Sequence, residues 1–282
     1  MTNKTKIEIK ALISLLSETA PQNLVVIKNK LIELKRDALP FLEEALIHEN
    51  PKIQDAVSSI LEDLRINDLT RHWVTFSSRK GEIDLEEGAF LYAAYAYPHL
   101  DMNPYRRILD QWAYEIKGLL NSGRSEKKSF QVVVEYFFQT LGFMGNRENY
   151  YDSKNSYLPA LIDTKKGLPI TLSVLLLLIT KRLNLPFFPI GMPGHFILKY
   201  EGEGKALYID PFNGGKILTQ KDCIINFLTN SGYGFREEYL QKSGNRAVLE
   251  RMIRNLIAVY THEDNQSAVS FMTKLIEILH GP

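Results

Sequence analysis

His195 and Asp210 bracket two short apolar runs, HFILKY (195–200) and KALYID (205–210), joined by the stretch EGEG. An imidazole and a carboxylate at the two ends of a hairpin have the chemistry of a general base and its orienting partner. A carboxylate beside the ring fixes the tautomer and stabilises the imidazolium. If Tyr200 and Lys205 pair across the loop, the same register sets His195 directly opposite Asp210, with Cβ atoms about 4.5–5.5 Å apart. Alternation then sends His195, Ile197, Tyr208 and Asp210 to one face and Phe196, Leu198, Leu207 and Ile209 to the other. The same pair also reads as a buried polar clasp, and a one-residue slip would put its members on opposite faces.

Three neighbouring stretches must position this pair. KKGLPITLSVLLLLITKRL (165–183) is apolar nearly all round and reads as a central buried helix, with Pro169 in its first turn. FFPIGM (187–192) reads as a further strand. The glycines of PFNGG, after Asp210, suit a tight turn.

The rest of the chain is helical. Leu12, Leu15 and Leu16 share a helix face, as do Leu31 and Leu34. In 38–64 one stripe is Phe41, Leu42, Ala45 and Leu46 and the next is Ile53, Ala56, Val57 and Ile60. Pro40 and Pro51 stand near their starts, and the two stretches look like a HEAT-type helix pair. Helices follow at 84–100, ended near Pro98, and from Pro104 through Leu120. NSGRSEKKS (121–129) is a polar break, FQVVVEYFFQTLGF (130–143) an apolar helix, and Ala247 to Leu279 two helices broken around HEDNQ. Three regions are expected: helical residues 1–120, a core of 121–242, and a C-terminal helix pair, 243–282.

Composition excludes several functions. The 282 residues carry 34 Lys and Arg against 33 Asp and Glu, a net charge of +1, so no field draws the chain to nucleic acid or an anionic membrane. The single cysteine, Cys223, rules out an intrachain disulfide and a cysteine zinc cluster. The six histidines are scattered, and HENPK (48–52) has Lys52 where a zinc HExxH helix needs its second histidine. There is no Walker A sequence, so neither a metal nor another cofactor is expected. The longest apolar run, 168–179, is short of the roughly 20 residues that span a bilayer. With no secretory signal pattern at the start, a cytoplasmic location is expected.

LEEGAFLYAAYAYPHLD (85–101), NYYDSKNSYL (149–158), GLPITLS (167–173), PGHFILKY (193–200), IDPFNGG (209–215) and LERMIRNLIAVY (249–260), in that order, carry a resemblance. The chain resembles the bacterial transglutaminase-like family of the core-2, SirB-like type. The resemblance implies an α+β fold: a papain-like core of a central helix on an antiparallel sheet, flanked by helical N- and C-terminal segments, with a TPR-like pair at the C-terminus. It matches His195 and Asp210 to the histidine and aspartate of the transglutaminase triad.

The triad's cysteine belongs at the N-terminus of the central helix, where the helix dipole and an imidazolium favour thiolate. Here that slot falls near Thr171, with Ser173 the neighbouring hydroxyl, and Cys223 lies outside it. The resemblance implies that the family itself commonly lacks this cysteine. Ser153 stands where proline is usual after Asp152. Asn155 is placed to bind an oxyanion, or Asp152, Asn155 and Ser156 pin their loop through Asx- and ST-turns. Phe212 and Asn213 are placed to edge a cleft.

Two functions stay open. One is a non-catalytic module that keeps a His195–Asp210 cleft for a peptide or protein partner, with helical flanks that present binding surfaces. The other is acyl transfer or amide hydrolysis with Thr171 or Ser173 as nucleophile, His195 as base and Asp210 as orienter. A packed N-terminal helix residue or a helix cap at Thr171, and a back-bond from Ser173 to the carbonyl four residues earlier, are the plain roles for these hydroxyls.

Overall fold

The structure, a computed structural model, describes residues 2–17, 20–120, 126–202, 206–229, 232 and 234–281. Packing divides the chain into two compact units, Met1–His72 and Trp73–Pro282. The first unit holds α1 (Asn3–Ser14), α2 (Pro21–Ala45) and most of α3 (Pro51–Ser77). Helix α2 is broken at Lys35, whose φ is 40°. Pro40 lies inside the second half of the helix, after this break. Leu31, Ala38, Leu42 and Ala45 are buried with Ile53, Val57 and Ile60, so the two apolar stripes face one another.

The second unit continues with α4 (Leu85–Ala93), α5 (Met102–Leu120) and α6 (Glu126–Glu135), the last passing into a π-helical turn, Tyr136–Thr140. The sequence groups α4 and α5 with the N-terminal helices. They pack instead with the second unit, α4 against α10 and α5 against α8. Of the polar break at 121–129, residues 121–125 lie outside the described residues. A polar break marks a loop whether that loop lies within a unit or between two, so it does not locate a boundary.

A two-stranded parallel ladder, β1 (Met144–Gly145) with β2 (Lys166–Gly167), brackets α7 (Leu158–Thr164). Helix α8 (Pro169–Arg182) follows, and every residue from Pro169 to Thr180 is buried. No polar face orients such a helix; its place is set by apolar burial, about 2 kcal/mol for each leucine. Strands β3 (Phe187–Met192), β4 (His195–Tyr200), β5 (Leu207–Asp210) and β6 (Lys216–Leu218) form an antiparallel meander. The three-residue β6 was not expected; it is too short to show an alternation.

On one face of the sheet Ile190, Met192, Ile197 and Tyr208 are buried with Cys223 of α9 (Gln220–Cys223) and Leu240, and Phe227 of the following π-helical segment, Ile224–Thr229, packs on them. Phe196, Leu198 and Ile209 are buried on the opposite face, and α8 packs against β3 and β4. Helices α10 (Asn245–His262) and α11 (Gln266–His280) form the C-terminal pair. Trp73 Nε1 donates to Leu275 O at 2.8 Å, tying α11 to the last turn of α3.

Candidate functional site

The hairpin forms in a different register from the expected one. Leu198 pairs with Ile209, Lys199 with Tyr208 and Tyr200 with Leu207, a shift of two residues. Residues 203–205 of the connecting stretch, including the expected partner Lys205, lie outside the described residues. A shift of two preserves the face of every side chain. His195 and Asp210 therefore stay on one face but meet diagonally, with Nε2 3.0 Å from Oδ1.

Each member is held by its own turn. Met192 pairs with His195, so only Pro193 and Gly194 connect β3 to β4. Gly194 has φ 72°, the left-handed value that the second central position of a Pro-Gly turn requires. Asp210 closes the 3-10 turn Pro211–Asn213. Its Oδ1 accepts from the N–H of Phe212 (3.1 Å) and Asn213 (3.2 Å), and its Oδ2 from Asn213 Nδ2 (2.5 Å). Only 1% of Asp210 is exposed, so both oxygens are satisfied from within.

Burial opposes ionisation of Asp210, but contacts from His195 and Asn213 outweigh it and hold the carboxyl below its usual range. His195 Nε2 is buried and lies beside Oδ1 without a bond of full hydrogen-bonding geometry. The Phe227 ring stacks on the imidazole at 4.5 Å and 19°, and Arg251 donates from Nη2 to His195 O at 3.4 Å. The His195 side chain is 13% exposed.

Neither hydroxyl at the start of α8 hydrogen-bonds the imidazole. Ser173 Oγ donates to Pro169 O at 2.8 Å, a bond to the preceding turn of its own helix. Thr171 Oγ1 is fully buried and has no hydrogen-bond partner. Of the plain roles expected for Thr171 the structure shows the packed first-turn residue and not the cap: Thr171 is buried inside the first turn, and the N-cap residue, Leu168, makes no side-chain cap.

Asn155 is 3% exposed and does not offer its amide to an oxyanion. Nδ2 donates to the carbonyls of Asn149 (2.6 Å) and Tyr150 (3.2 Å), and Oδ1 accepts from Asn146 Nδ2 at 2.8 Å. Asp152 Oδ1 accepts from Lys154 N at 2.9 Å. The loop is thus pinned by its own side chains. Ser156 Oγ is buried without a partner. The residue in the usual proline position, Ser153, donates its N–H to Glu263 Oε1 at 3.4 Å, a bond that proline would delete.

The pinned loop presents a rim beside the pair. The Tyr150 ring lies 6.0 Å from Phe212, Tyr151 lies 5.5 Å from Tyr150 and 4.7 Å from His262, and the Arg147 guanidinium sits 5.1 Å over Phe212. Arg147 also donates to Asn213 Oδ1, so a hydrogen-bonded chain runs from Arg147 through Asn213 to Asp210. Tyr150 and Tyr151 are 40% and 55% exposed. Phe212 is half-buried and Asn213 exposed. Grooves are found in other places too: one of about 620 Å³ beside Lys35 in the first unit, and one of about 430 Å³ by Leu177 and Phe188, near the C-terminal end of α8.

The transglutaminase-like superfamily profile matches residues 103–254, which include the loop, α8, the hairpin and most of α10. The chain belongs to the transglutaminase-like superfamily. A UPF0162 protein of Xylella fastidiosa is 30% identical over 187 residues, 64% of this chain and 66% of that protein. A UPF0162 protein of Vibrio cholerae is 28% identical over 185 residues, 62% of this chain and 67% of its own length. Human F-box only protein 21 is 34% identical over 137 residues, 45% of this chain and 21% of that protein.

Within this transglutaminase-like domain the one thiol is in α9 and not in the central helix. Cys223 is fully buried in α9. Burial, with the nearby Asp222 and Asp210 carboxylates, pushes its thiol up to about 12. That is the neutral form of the group and the opposite of an activated nucleophile. Arg147, Tyr150, Phe227 and Arg251 were not singled out from the sequence. The NYY cluster was a signal for Tyr150; Phe227 and Arg251 sit in helical patterns that give none.

Proposed function

We propose that this protein is a transglutaminase-fold binding module that docks a peptide or protein segment across the rim beside His195 and Asp210, and that it does not catalyse acyl transfer. The observation that carries this reading is the state of the two hydroxyls. A hydroxyl needs a base within about 2.6–3.2 Å to act as a nucleophile. Ser173 Oγ turns into its own helix, and Thr171 Oγ1 is sealed from solvent and unpaired with His195. Exposed tyrosines and an arginine beside the pair are the residue types that dominate binding surfaces. The helical flanks, HEAT-like at the N-terminus and TPR-like at the C-terminus, add surface suited to protein contacts.

One observation favours acyl transfer. The unpartnered Thr171 Oγ1 has a proton to give, and His195 is 13% exposed. Fluorophosphonate and glutamine-donor probes on wild type and His195→Ala separate the two. The binding reading expects no labelling that depends on His195. Labelling at Thr171 or Ser173 that disappears in His195→Ala assigns the enzyme instead. In parallel, peptides selected from a displayed library should bind saturably and lose affinity in Tyr151→Ala. A library that yields no saturable binder ends the binding reading.

A further inference from the structure

We propose that the groove at the C-terminal end of α8 binds a free α-amino acid with an apolar side chain, its ammonium on Glu82, its carboxylate on Lys181 and its side chain against Leu177 and Phe187. This site is separate from the rim, and the proposal does not rest on the binding reading above.

The groove lies wholly in the second unit, between the end of α8, β3 and the stretches that lead into α4 and α10. Its volume of about 430 Å³ falls in the range of about 300–1,000 Å³ usual for small-molecule sites. The walls are fixed without a ligand. Ser243 N donates to Pro189 O at 2.9 Å and Ile190 bridges Lys242, which stitches the stretch before α10 to β3. Leu183 N and Leu185 N both donate to Thr180 O at 3.1 Å and close the end of α8. Leu177, Leu178 and Phe187 are buried and line the groove, so they give it an apolar wall.

The polar groups of the same groove keep capacity of both signs. Glu82 is exposed and accepts at Oε1 from Asn245 N, and among the described residues no cation pairs with it. Asn245 gives Nδ2 to Ile83 O at 2.7 Å and keeps Oδ1 as a second acceptor. On the donor side, an ammonium has three N–H groups. Lys181 gives one to Asp84 Oδ2 at 3.3 Å and its side chain is 65% exposed. The side chains of Asn184 and Ser243 also line the groove, make no hydrogen bond among the described residues, and can both donate. Lys242, whose ammonium covers the Phe188 ring at 3.4 Å, is paired with Glu201.

A simple amine in this groove would meet Lys181, and a simple acid would meet Glu82. A zwitterion meets both with the opposite charge and brings no net charge of its own. An α-amino acid carries its two charges and its side chain on one carbon, so one end can take the polar groups while the other lies on the apolar wall.

The test is isothermal titration calorimetry at pH 7 on the full chain with leucine, phenylalanine, N-acetyl-leucine, leucinamide, alanine and the dipeptide Leu-Leu. Leucine and phenylalanine are expected to bind saturably. Acetylation and amidation should each weaken leucine about two- to fivefold, the worth of one exposed ion pair. Alanine lacks three carbon groups, each worth a factor of about three to four when buried, and should bind at least about tenfold more weakly. In Glu82→Gln, leucine and N-acetyl-leucine should bind alike; in Lys181→Gln, leucine and leucinamide should. Both side chains are exposed, so both variants stay folded. Tyr151→Ala should leave leucine binding unchanged.

No saturable binding of leucine or phenylalanine overturns the proposal. Leucinamide or N-acetyl-leucine binding as tightly as leucine would name an amine or an acid instead, and tighter binding of Leu-Leu would name a peptide. Alanine binding as tightly as leucine would remove the apolar wall from the site. A discrimination that survives its variant, or leucine binding lost in Tyr151→Ala, places the amino acid elsewhere. None of these outcomes touches the rim, which has its own test.

Discussion

Replacing Thr171 by valine should stabilise the protein. The side chain is fully buried in α8 and its Oγ1 has no hydrogen-bond partner. A buried hydroxyl left unsatisfied costs about 1–3 kcal/mol, and an apolar group of the same shape relieves that cost. Thr and Val differ little in helix propensity, so no opposing backbone effect arises. The expected gain is about 1 kcal/mol or slightly more, a rise in Tm of about 2–4 °C for a unit of this size. Ser173→Ala is the control. It deletes the 2.8 Å bond to Pro169 O, which costs about 1 kcal/mol, and about half of that returns through the better helix propensity of alanine. Thermal and urea unfolding at neutral pH, with unchanged m-values, give the two signs. A loss of more than about 1 kcal/mol in Thr171→Val would refute the reasoning. It would mean that Oγ1 is satisfied in solution, and an acyl-transfer role for a held hydroxyl would regain ground.

Asp210→Asn should flatten part of the acid limb of the stability profile. The folded carboxyl is held below its usual range, so its contribution is complete above the unfolded value of about 3.9 and is lost as pH falls through the lower folded value. The wild-type advantage in urea midpoint should be steady above about pH 5 and shrink below pH 4, and an equal advantage at pH 2.5 and 7 contradicts the assignment. Cys223, with its thiol pushed up to about 12 and no exposed surface, should resist iodoacetamide at pH 8 until urea unfolds the chain; rapid labelling of native protein would place the thiol elsewhere. In Gly145→Ala the new Cβ would lie 2.5 Å from Phe212 Cδ2 and 2.6 Å from Phe212 O, so a loss of about 1–3 kcal/mol and weaker peptide binding are expected, and an unchanged Tm would show that the Phe212 turn yields freely.

What the sequence determined by itself follows from short-range periodicity. An unbroken apolar run with proline in its first turn specified α8, because a chain segment with no polar face must be buried on all sides. Alternation put His195 and Asp210 on one face, and parity survives any even slip of register. The order of the motifs was enough to point to the transglutaminase-like superfamily.

Tertiary structure decided the rest. The register moved by two residues because alternation alone cannot distinguish even shifts; packing at Ile197 and Tyr208 does. Asn155 could serve an oxyanion or its own loop, and the nearness of the Asn149 and Tyr150 carbonyls committed it to the loop. The site joins Arg147 to Phe212 and Arg251 to His195, residues that lie far apart along the chain. No spacing rule links such residues, since only the packing of the loop, the hairpin end and α10 brings their side chains together.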